Sequence, residues 1–284
     1  MKILFSYDGS NCAKDALREL KRAGLPERGE ALILTVAEPW HAPVGPGGHK
    51  LDMSPLGDET TALKQADEAR SLFTELFPGW QVEAEGRQGS PSHQIVDRAD
   101  QWGADLIVIG SHGLNAVERF VFGSISQQVV TSAHCSVRVA RGNPHREDEP
   151  IRLLLGVDGS QDSNETVETV LARDWPPHTK VWLVTAIGSY FEDEANERER
   201  NQFEELHASI EARFKEKGVT AVSVIDFTDP KHLILATAKE FEIDCIFLGS
   251  RGLTRFERTL IGSVSASITA RSQCSVEIVR KREN

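Results

Sequence analysis

Two stretches of this chain follow one pattern. Gly110–Ser124 reads GSHGLNAVERFVFGS and Gly249–Ser263 reads GSRGLTRFERTLIGS, so the same glycine spacing recurs 139 residues later. Between the windows Ile107–Arg141 and Ile246–Arg280, 14 of 35 positions are identical, far more than unrelated windows share by chance. A repeat of this length predicts two copies of one structural unit, and any fold assigned to the chain must accommodate both.

The spacing between matching segments locates the boundaries of the two copies. KILFSYDGS and RLLLGVDGS, near the start of each copy, align at an offset of 150, whereas the glycine stretches align at 139. The first copy therefore carries eleven additional residues, and the Pro- and Gly-rich segment Glu38–Glu59 is the predicted insertion loop. The charged segment Gly142–Pro150 is the predicted linker. We expect domains at residues 1–141 and 151–284.

Strand-like and helix-like patterns alternate along each copy. Runs such as KILFSY and RLLLGV are short and densely apolar, as expected for strands that are buried on both faces. Both of these runs lead into Asp-Gly-Ser, which is a signal for a turn and a helix start. Five strands per copy with intervening helices predict an α/β fold of two tandem domains, each with a doubly wound, parallel, five-stranded sheet.

The candidate ligand site lies where the strands of each sheet end. Open α/β sheets bind ligands at the carboxyl ends of their strands, where Asp8 and Asp158 follow the first strand and the glycine stretches follow the fourth. Glycines allow close approach of backbone N–H groups, and a helix N-terminus favours an anion, so each stretch is a candidate phosphate cradle. An aspartate is only an acceptor and suits ribose hydroxyls or a magnesium ion better. The candidate cradle residues are Gly110, Gly113, Gly123 and Ser124 in the first copy and Gly249, Arg251, Gly252, Gly262 and Ser263 in the second.

Purely structural roles would explain either motif alone. A glycine pair after a strand is an ordinary turn, and Asp-Gly-Ser is an ordinary helix cap. Their joint recurrence in the same strand context favours a binding site. The Walker A and dinucleotide-binding fingerprints are absent from the sequence. Ser124 and Ser263 fit phosphate-binding hydroxyls better than nucleophiles, because no repeated nucleophile–base pair accompanies them, so at most weak ATP hydrolysis is expected.

Charge and cysteine content argue against other classes of protein. A net charge of -11 disfavours a nucleic-acid or anionic-membrane surface. The first residues become polar too early for a signal peptide, and no apolar stretch reaches the roughly 18–20 residues of a membrane helix. The four cysteines form no Cys-x-x-Cys pair, so we expect free thiols in a reducing cytoplasm.

With these motifs in both copies, the chain resembles the universal stress protein family, whose ATP-binding members carry Gly-x2-Gly-x9-Gly-[Ser/Thr] after the fourth strand. The Asp-Gly-Ser motif and the last strand, CSVRVAR or CSVEIVR, also match. The resemblance implies an adenine nucleotide alpha hydrolase-like fold with ATP, and magnesium through the nucleotide, as ligand. It implies that Asp8 and Asp158 contact ribose or magnesium, and that Val36 and Ala186 line the adenine pocket. The family's fifth strands pair across a two-fold axis, which implies an internal pseudo-dimer here.

The two copies differ around these candidate sites, which predicts unequal affinities. The ring of Tyr7, where the second copy has Val157, is expected to crowd or stack in the first site. In the second site, Asp229 is expected to disfavour a polyphosphate, whereas Arg251 is a better phosphate partner than the corresponding His112.

The expected function is that of a cytoplasmic, ATP-binding stress-response regulator with an unidentified protein partner. A slow ATPase is one open alternative, and a module that binds another small ligand or only a protein is a second. Neither nucleic acid nor a membrane is an expected partner. A homodimer of chains is left open.

Overall fold

The computed structural model describes residues 1–38, 58–111, 122–141, 146, 149–188, 194–252 and 261–281 of the 284-residue chain. The first half, residues 1–141, contains β1 (Lys2–Ser6), α1 (Asn11–Glu19), β2 (Gly29–Ala37), α2 (Glu59–Leu76), β3 (Trp80–Gln88), α3 (Pro91–Trp102), β4 (Leu106–Gly110), α4 (Ser124–Ser132) and β5 (Ser136–Ala140). The second half, residues 151–281, contains β6 (Arg152–Gly156), α5 (Gln161–Leu171), β7 (Lys180–Ala186), α6 (Glu194–Glu216), β8 (Thr220–Asp226), α7 (Pro230–Glu240), β9 (Cys245–Gly249), α8 (Ser263–Arg271) and β10 (Ser275–Val279). A short 3-10 turn, Leu20–Arg22, extends α1.

The Asp-Gly-Ser motif forms the same turn and helix start in both halves. Asp8 Oδ1 accepts a hydrogen bond from the backbone N–H of Ser10 at 3.0 Å, and Ser10 Oγ accepts one from the N–H of Ala13 at 3.0 Å. Asp158 and Ser160 make the equivalent bonds at the start of α5. The motif therefore caps each helix and fixes each aspartate at the end of the first strand.

The ten strands form one sheet in the order β3-β2-β1-β4-β5-β10-β9-β6-β7-β8. Within each half the neighbouring strands are parallel. In the first half, buried residues of α1 and α2 cover one face of the sheet and those of α3 and α4 cover the other. The predicted doubly wound α/β fold is confirmed.

The two halves join through their fifth strands. β5 and β10 pair antiparallel, with Val139 opposite Val276, Arg138 opposite Glu277 and Val137 opposite Ile278. Because Arg138 and Glu277 are equivalent positions of the repeat, the register is symmetric about this pair, which marks a pseudo-two-fold axis. The fifth-strand pairing implied by the family resemblance is therefore present within one chain.

A buried ionic network crosses this axis. Arg138 Nη1 lies 3.1 Å from Glu277 Oε2, and the two side chains are only 1% and 0% exposed. Arg138 also binds Glu19 of α1, and Glu277 also binds Arg173, which follows α5. The four charges alternate in sign, so each buried charge has an opposite neighbour, as buried ions require.

Each half also holds the end of a helix of the other half. Arg141 Nη2 donates to the carbonyl of Thr269 in the last turn of α8, and Arg280 Nη2 donates to the carbonyl of Val130 in the last turn of α4, both at 2.5 Å. The backbone N–H groups of these arginines bind Ser275 and Ser136 across the same interface. A cation near a helix C-terminus is favourable, so these reciprocal contacts stabilise the joined halves.

Parts of the predicted loops fall beyond what the structure describes. Residues 39–57 of the predicted insertion loop lie outside the described residues, as do 142–145 and 147–148 of the predicted linker. Of the described linker residues, Arg146 binds Glu149 at 2.7 Å and the carbonyl of Glu242 at 2.8 Å, which attaches the linker to the second half.

Candidate functional site

The first half brings its predicted site residues to one edge of the sheet. Ser6 pairs with Leu34 in the β1–β2 register, so two residues further on Asp8 reaches the level of Val36. The β1–β4 register, in which Phe5 pairs with Val108, places the end of β1 beside Gly110 in the same way. The aspartate, the end of β2 and the start of the glycine stretch are therefore neighbours, as the strand order predicts.

The second half repeats this arrangement, and its glycines show why side chains are excluded. Asp158 reaches the level of Ala186, because Gly156 pairs with Val184. A Cβ atom on Gly252 would lie 2.8 Å from Asp158 Oδ2, so the glycine stretch packs directly against the aspartate. A Cβ on Gly249 would lie 2.7 Å from Cβ of Asp162. The contact at Gly249 involves backbone atoms of Asp162, so a side chain there requires the start of α5 to shift, whereas at Gly252 only the end of the Asp158 side chain must move.

A backbone hydrogen bond closes each glycine stretch. The N–H of Gly123 donates to the carbonyl of Ser111 at 2.9 Å, and the N–H of Gly262 donates to the carbonyl of Ser250 at 2.7 Å. Each bond joins the end of a strand to the start of a helix. Of the predicted site residues, Gly113 lies outside the described residues, which leave out 112–121 in the first half and 253–260 in the second.

We define the first cradle by Gly110, Ser111, Gly123 and Ser124, and the second cradle by Gly249, Ser250, Arg251, Gly252, Gly262 and Ser263. Helices α4 and α8 begin at these cradles with Gly123 and Gly262 as N-caps, and neither has a side-chain hydrogen bond to its cap. By contrast, serine side chains cap α1 and α5. Because no N-cap side chain binds them, the first-turn N–H groups of α4 and α8 are candidate donors to an external acceptor such as a phosphate oxygen.

Serine hydroxyls fix these two helix starts to the sheet. Ser126 Oγ donates to the carbonyl of Gly110 at 2.8 Å, and Ser265 Oγ donates to the carbonyl of Gly249 at 2.7 Å. The carbonyl at the end of each fourth strand is therefore satisfied from within the protein.

Two residues at which the sequences of the copies differ, Tyr7 and Asp229, have structural roles. Tyr7 is only 3% exposed and packs with Ile3 and Phe5 in the core below α1 and α2, where burial raises the pKa of its hydroxyl. Its ring therefore belongs to the core rather than stacking in the site. Asp229 is the N-cap of α7 and accepts from the N–H groups of Lys231 and His232. Its charge is committed to that helix start.

Sequence reasoning overlooked Asp162, which the structure places in the second cradle. Asp162 Oδ2 accepts from Ser250 Oγ at 2.8 Å and from the backbone N–H of Arg251 at 3.0 Å. The Arg251 side chain is 3.7 Å away through Nε, so its charge faces a carboxylate of the same chain. The equivalent position in the first half is Cys12, and the alignment of these two residues is the signal that could have identified them.

The described residues show no independent metal site. Within the described ranges, no group of three or more histidine, cysteine, aspartate or glutamate side chains could hold a metal ion. Oδ1 of Asp8 and of Asp158 is engaged in the turn that follows β1 or β6. Magnesium at either aspartate would therefore need further oxygen ligands from a bound molecule.

A separate cleft of about 920 Å³ lies between the halves, away from the cradles. Its lining includes internally matched ion pairs, such as Arg22 with Asp244 at 3.0 Å and Arg146 with Glu149 at 2.7 Å. The cradles, with exposed helix N-termini, are the stronger candidate for a small anionic ligand. None of the helices in the described ranges is both long and apolar enough to cross a bilayer.

Comparison with known protein families matches each half of the chain separately. A family model described as the universal stress protein family matches residues 1–141 and again residues 151–280. A universal stress protein of Mycolicibacterium smegmatis is 26% identical over 234 residues, which cover 78% of this chain and 76% of that relative. A universal stress protein of Thermus aquaticus is 33% identical over 141 residues, which cover 49% of this chain and 97% of that relative.

A solved structure shares the architecture of the whole chain. The crystal structure of a universal stress protein from Archaeoglobus fulgidus superposes with a TM-score of 0.62 and 19% sequence identity, covering 99% of this chain and 97% of that one. At this identity the likeness concerns the fold. It extends over both halves.

Proposed function

This chain belongs to the universal stress protein family, and we propose that it is a cytoplasmic regulatory protein that binds an adenine nucleotide, with ATP as the leading candidate. The observation that carries this proposal is that, in each half, the strand registers bring the aspartate after the first strand beside the glycine stretch and the start of α4 or α8. In the second half, Gly252 packs directly against Asp158. In our proposal the aspartate is the ribose acceptor and the glycine stretch is the phosphate cradle.

The chemistry of each position fits one part of a nucleotide. Oδ2 of Asp8 or Asp158 is the free oxygen that would accept from ribose hydroxyls, since Oδ1 is used by the turn. Val36 and Ala186 are partly buried apolar residues at the ends of β2 and β7, where they would contact the adenine ring. The first-turn N–H groups of α4 and α8 would bind the phosphates.

Nucleotide occupancy would act by adding charge at the start of α4 or α8. A bound triphosphate supplies several negative charges and a magnesium ion at that edge. The residues that face it bind and orient it, and Ser124 and Ser263 contribute hydroxyls to phosphate binding. We therefore propose a regulator whose surface changes with occupancy and is read by a protein partner, rather than a dedicated enzyme.

Two measurements test the proposal. The purified chain is denatured, and the supernatant is analysed for adenine nucleotides by chromatography. Calorimetric titration with ATP and magnesium, and separately with ADP and AMP, then gives affinity and stoichiometry. We expect adenine nucleotide binding in at least one assay, and its absence from both would refute the proposal.

Variants assign the site and exclude trivial explanations. Asp8→Ala and Asp158→Ala each remove the proposed ribose acceptor from one half. Asp67→Ala is a matched control, because Asp67 pairs with Arg70 on the surface of α2. Phosphate release, measured with the same preparations, determines whether bound ATP is hydrolysed. Loss of affinity in Asp67→Ala as large as that in both site variants would indicate a non-specific effect of substitution rather than loss of a ribose acceptor.

A further inference from the structure

We propose that the two cradles are not equivalent: the carboxylate of Asp162 serves as a built-in anion in the second cradle, so that the nucleotide phosphates bind in the first. This inference rests on the proposed function. It specifies which half binds the nucleotide phosphates and which residue occupies the cradle of the other half.

The geometry shows Asp162 using the donors of Ser250 and Arg251 in the second cradle. Its Oδ2 accepts from Ser250 Oγ at 2.8 Å and from the N–H of Arg251 at 3.0 Å, and the Arg251 side chain lies beside the same oxygen. These are a hydroxyl, a backbone N–H and a guanidinium, the groups that commonly bind a phosphate oxygen. A phosphate entering the second cradle would have to displace the carboxylate or lie next to it.

The close packing of α5 holds this carboxylate in place. A Cβ on Gly249 would lie 2.7 Å from Asp162 Cβ and 2.8 Å from its backbone carbonyl carbon, so the start of α5 rests on the end of β9. Asp162 is therefore positioned by the backbone of its own helix. Its occupation of the cradle does not depend on a long, mobile side chain.

The first half has a neutral residue at the equivalent position. Cys12 stands where the second half has Asp162, and its Sγ lies 3.8 Å from Ser111 Oγ. The first turn of α1 contains no acidic residue, whereas that of α5 contains Asp162. A phosphate in the first cradle would therefore meet no carboxylate from the adjoining helix.

The arginine behind each cradle adds to this difference. Arg141 lies near Cys12, and the groups that act on it against the effect of burial, which lowers its pKa, are the thiols of Cys274 and Cys12 rather than a carboxylate. Burial lowers the pKa of Arg280 to about 10, and Asp162 is among the groups that raise it. The second cradle thus has its own acid near Arg251 and Arg280, whereas no carboxylate is among the groups that act on Arg141.

Titration of the intact chain with ATP and magnesium tests the inference. We expect one nucleotide per chain in the wild type, lost in Asp8→Ala and retained in Asp158→Ala. In Asp162→Asn, which keeps a side-chain acceptor but removes the charge, and in Asp162→Cys, which copies the first half, a second nucleotide should bind at least about tenfold more tightly than in the wild type. The reverse change, Cys12→Asp, should weaken the first site by a similar factor.

A control variant on α5 tests whether the effect is specific to Asp162. Glu165→Cys removes another acid of α5, one that pairs with Lys281 at 2.9 Å, and should leave the stoichiometry at one. Two sites of equal affinity in the wild type, or a single site abolished by Asp158→Ala but not by Asp8→Ala, would overturn the inference while upholding nucleotide binding. No binding in any variant would instead overturn the proposed function. Thermal unfolding of each variant confirms that it is folded.

Discussion

Arg138 and Glu277 face each other at the centre of the sheet, as register partners on the pseudo-two-fold axis and at equivalent positions of the repeat. Both are almost fully buried, and they form the middle of a four-residue chain of alternating charge that ends at Glu19 and Arg173. The halves are therefore joined at their axis by opposite charges rather than by two copies of one residue.

A double-mutant cycle measures this pair. Arg138→Met and Glu277→Met should each lower the free energy of unfolding by about 3–5 kcal/mol, because each leaves a buried charge without its central partner. The double variant should cost clearly less than the sum, because it removes both charges from the axis together. Urea unfolding provides the four free energies. Strict additivity would show that the two residues contribute independently.

His207 should make stability depend on pH. It is fully buried, its Nε2 lies 2.8 Å from Thr185 Oγ1 and its Nδ1 lies 2.6 Å from Ser223 Oγ, and burial lowers its pKa from 6.5 to about 4. Between these values the unfolded chain binds a proton that the folded chain does not. The contribution is therefore fully present above about pH 6.5 and is lost as the pH falls towards 4.

The variant His207→Gln isolates this contribution. Lowering the pH from about 7.5 to about 5 should cost the wild type about 2 kcal/mol more unfolding free energy than it costs the variant. Other titrating groups are shared and cancel in the comparison. Denaturant unfolding at both pH values tests this, and equal pH dependence in the two proteins would contradict it.

The glycines of the second cradle should differ in their tolerance of alanine. In Gly249→Ala the new Cβ would meet backbone atoms of Asp162, so the start of α5 must shift, at an expected cost of about 1–3 kcal/mol. In Gly252→Ala it would meet only the end of the Asp158 side chain, and the cost should stay below about 1 kcal/mol. Thermal unfolding ranks the two variants. A reversed order would mean that α5 does not rest on Gly249 as described.

The four thiols should react at different rates. Cys135 and Cys245 are buried, whereas Cys12, at the first cradle, and Cys274 are both partly exposed. The pKa of the Cys274 thiol is raised to about 11 by desolvation. Cys12 should therefore be alkylated first. Mass spectrometry of peptides after a short iodoacetamide treatment identifies the modified residue. With ATP and magnesium present, Cys12 should react several-fold more slowly, and faster reaction of Cys274 would contradict the assignment.

Local and repeated patterns made most of the fold predictable. The alternation of apolar runs and helical spacing gave the strand and helix order, and Asp-Gly-Ser became the predicted turn and cap at Asp8 and Asp158. The place of Tyr7 also follows from a local rule, because strand alternation puts it on the same face as Ile3 and Phe5. The prediction that the Tyr7 ring crowds or stacks in the first site did not take this alternation into account.

Contacts between distant segments could not be predicted in this way. An acid in the first turn of a helix is ordinary, so nothing local distinguishes Asp162 until the fold brings α5 against the end of β9. Likewise, Arg and Glu alternate with apolar residues in CSVRVAR and CSVEIVR, but only the antiparallel register shows that they meet. Such facts depend on tertiary geometry, which a linear pattern does not contain.

The opposite charges on the axis also bear on how this chain can evolve. Were either half encoded alone and paired with its own copy through the same strand, two arginines or two glutamates would meet in a dry interior. The halves have thus become complementary rather than interchangeable, because a substitution at one of the two positions leaves the charge at the other without its central partner. In this protein the gene duplication has become difficult to reverse.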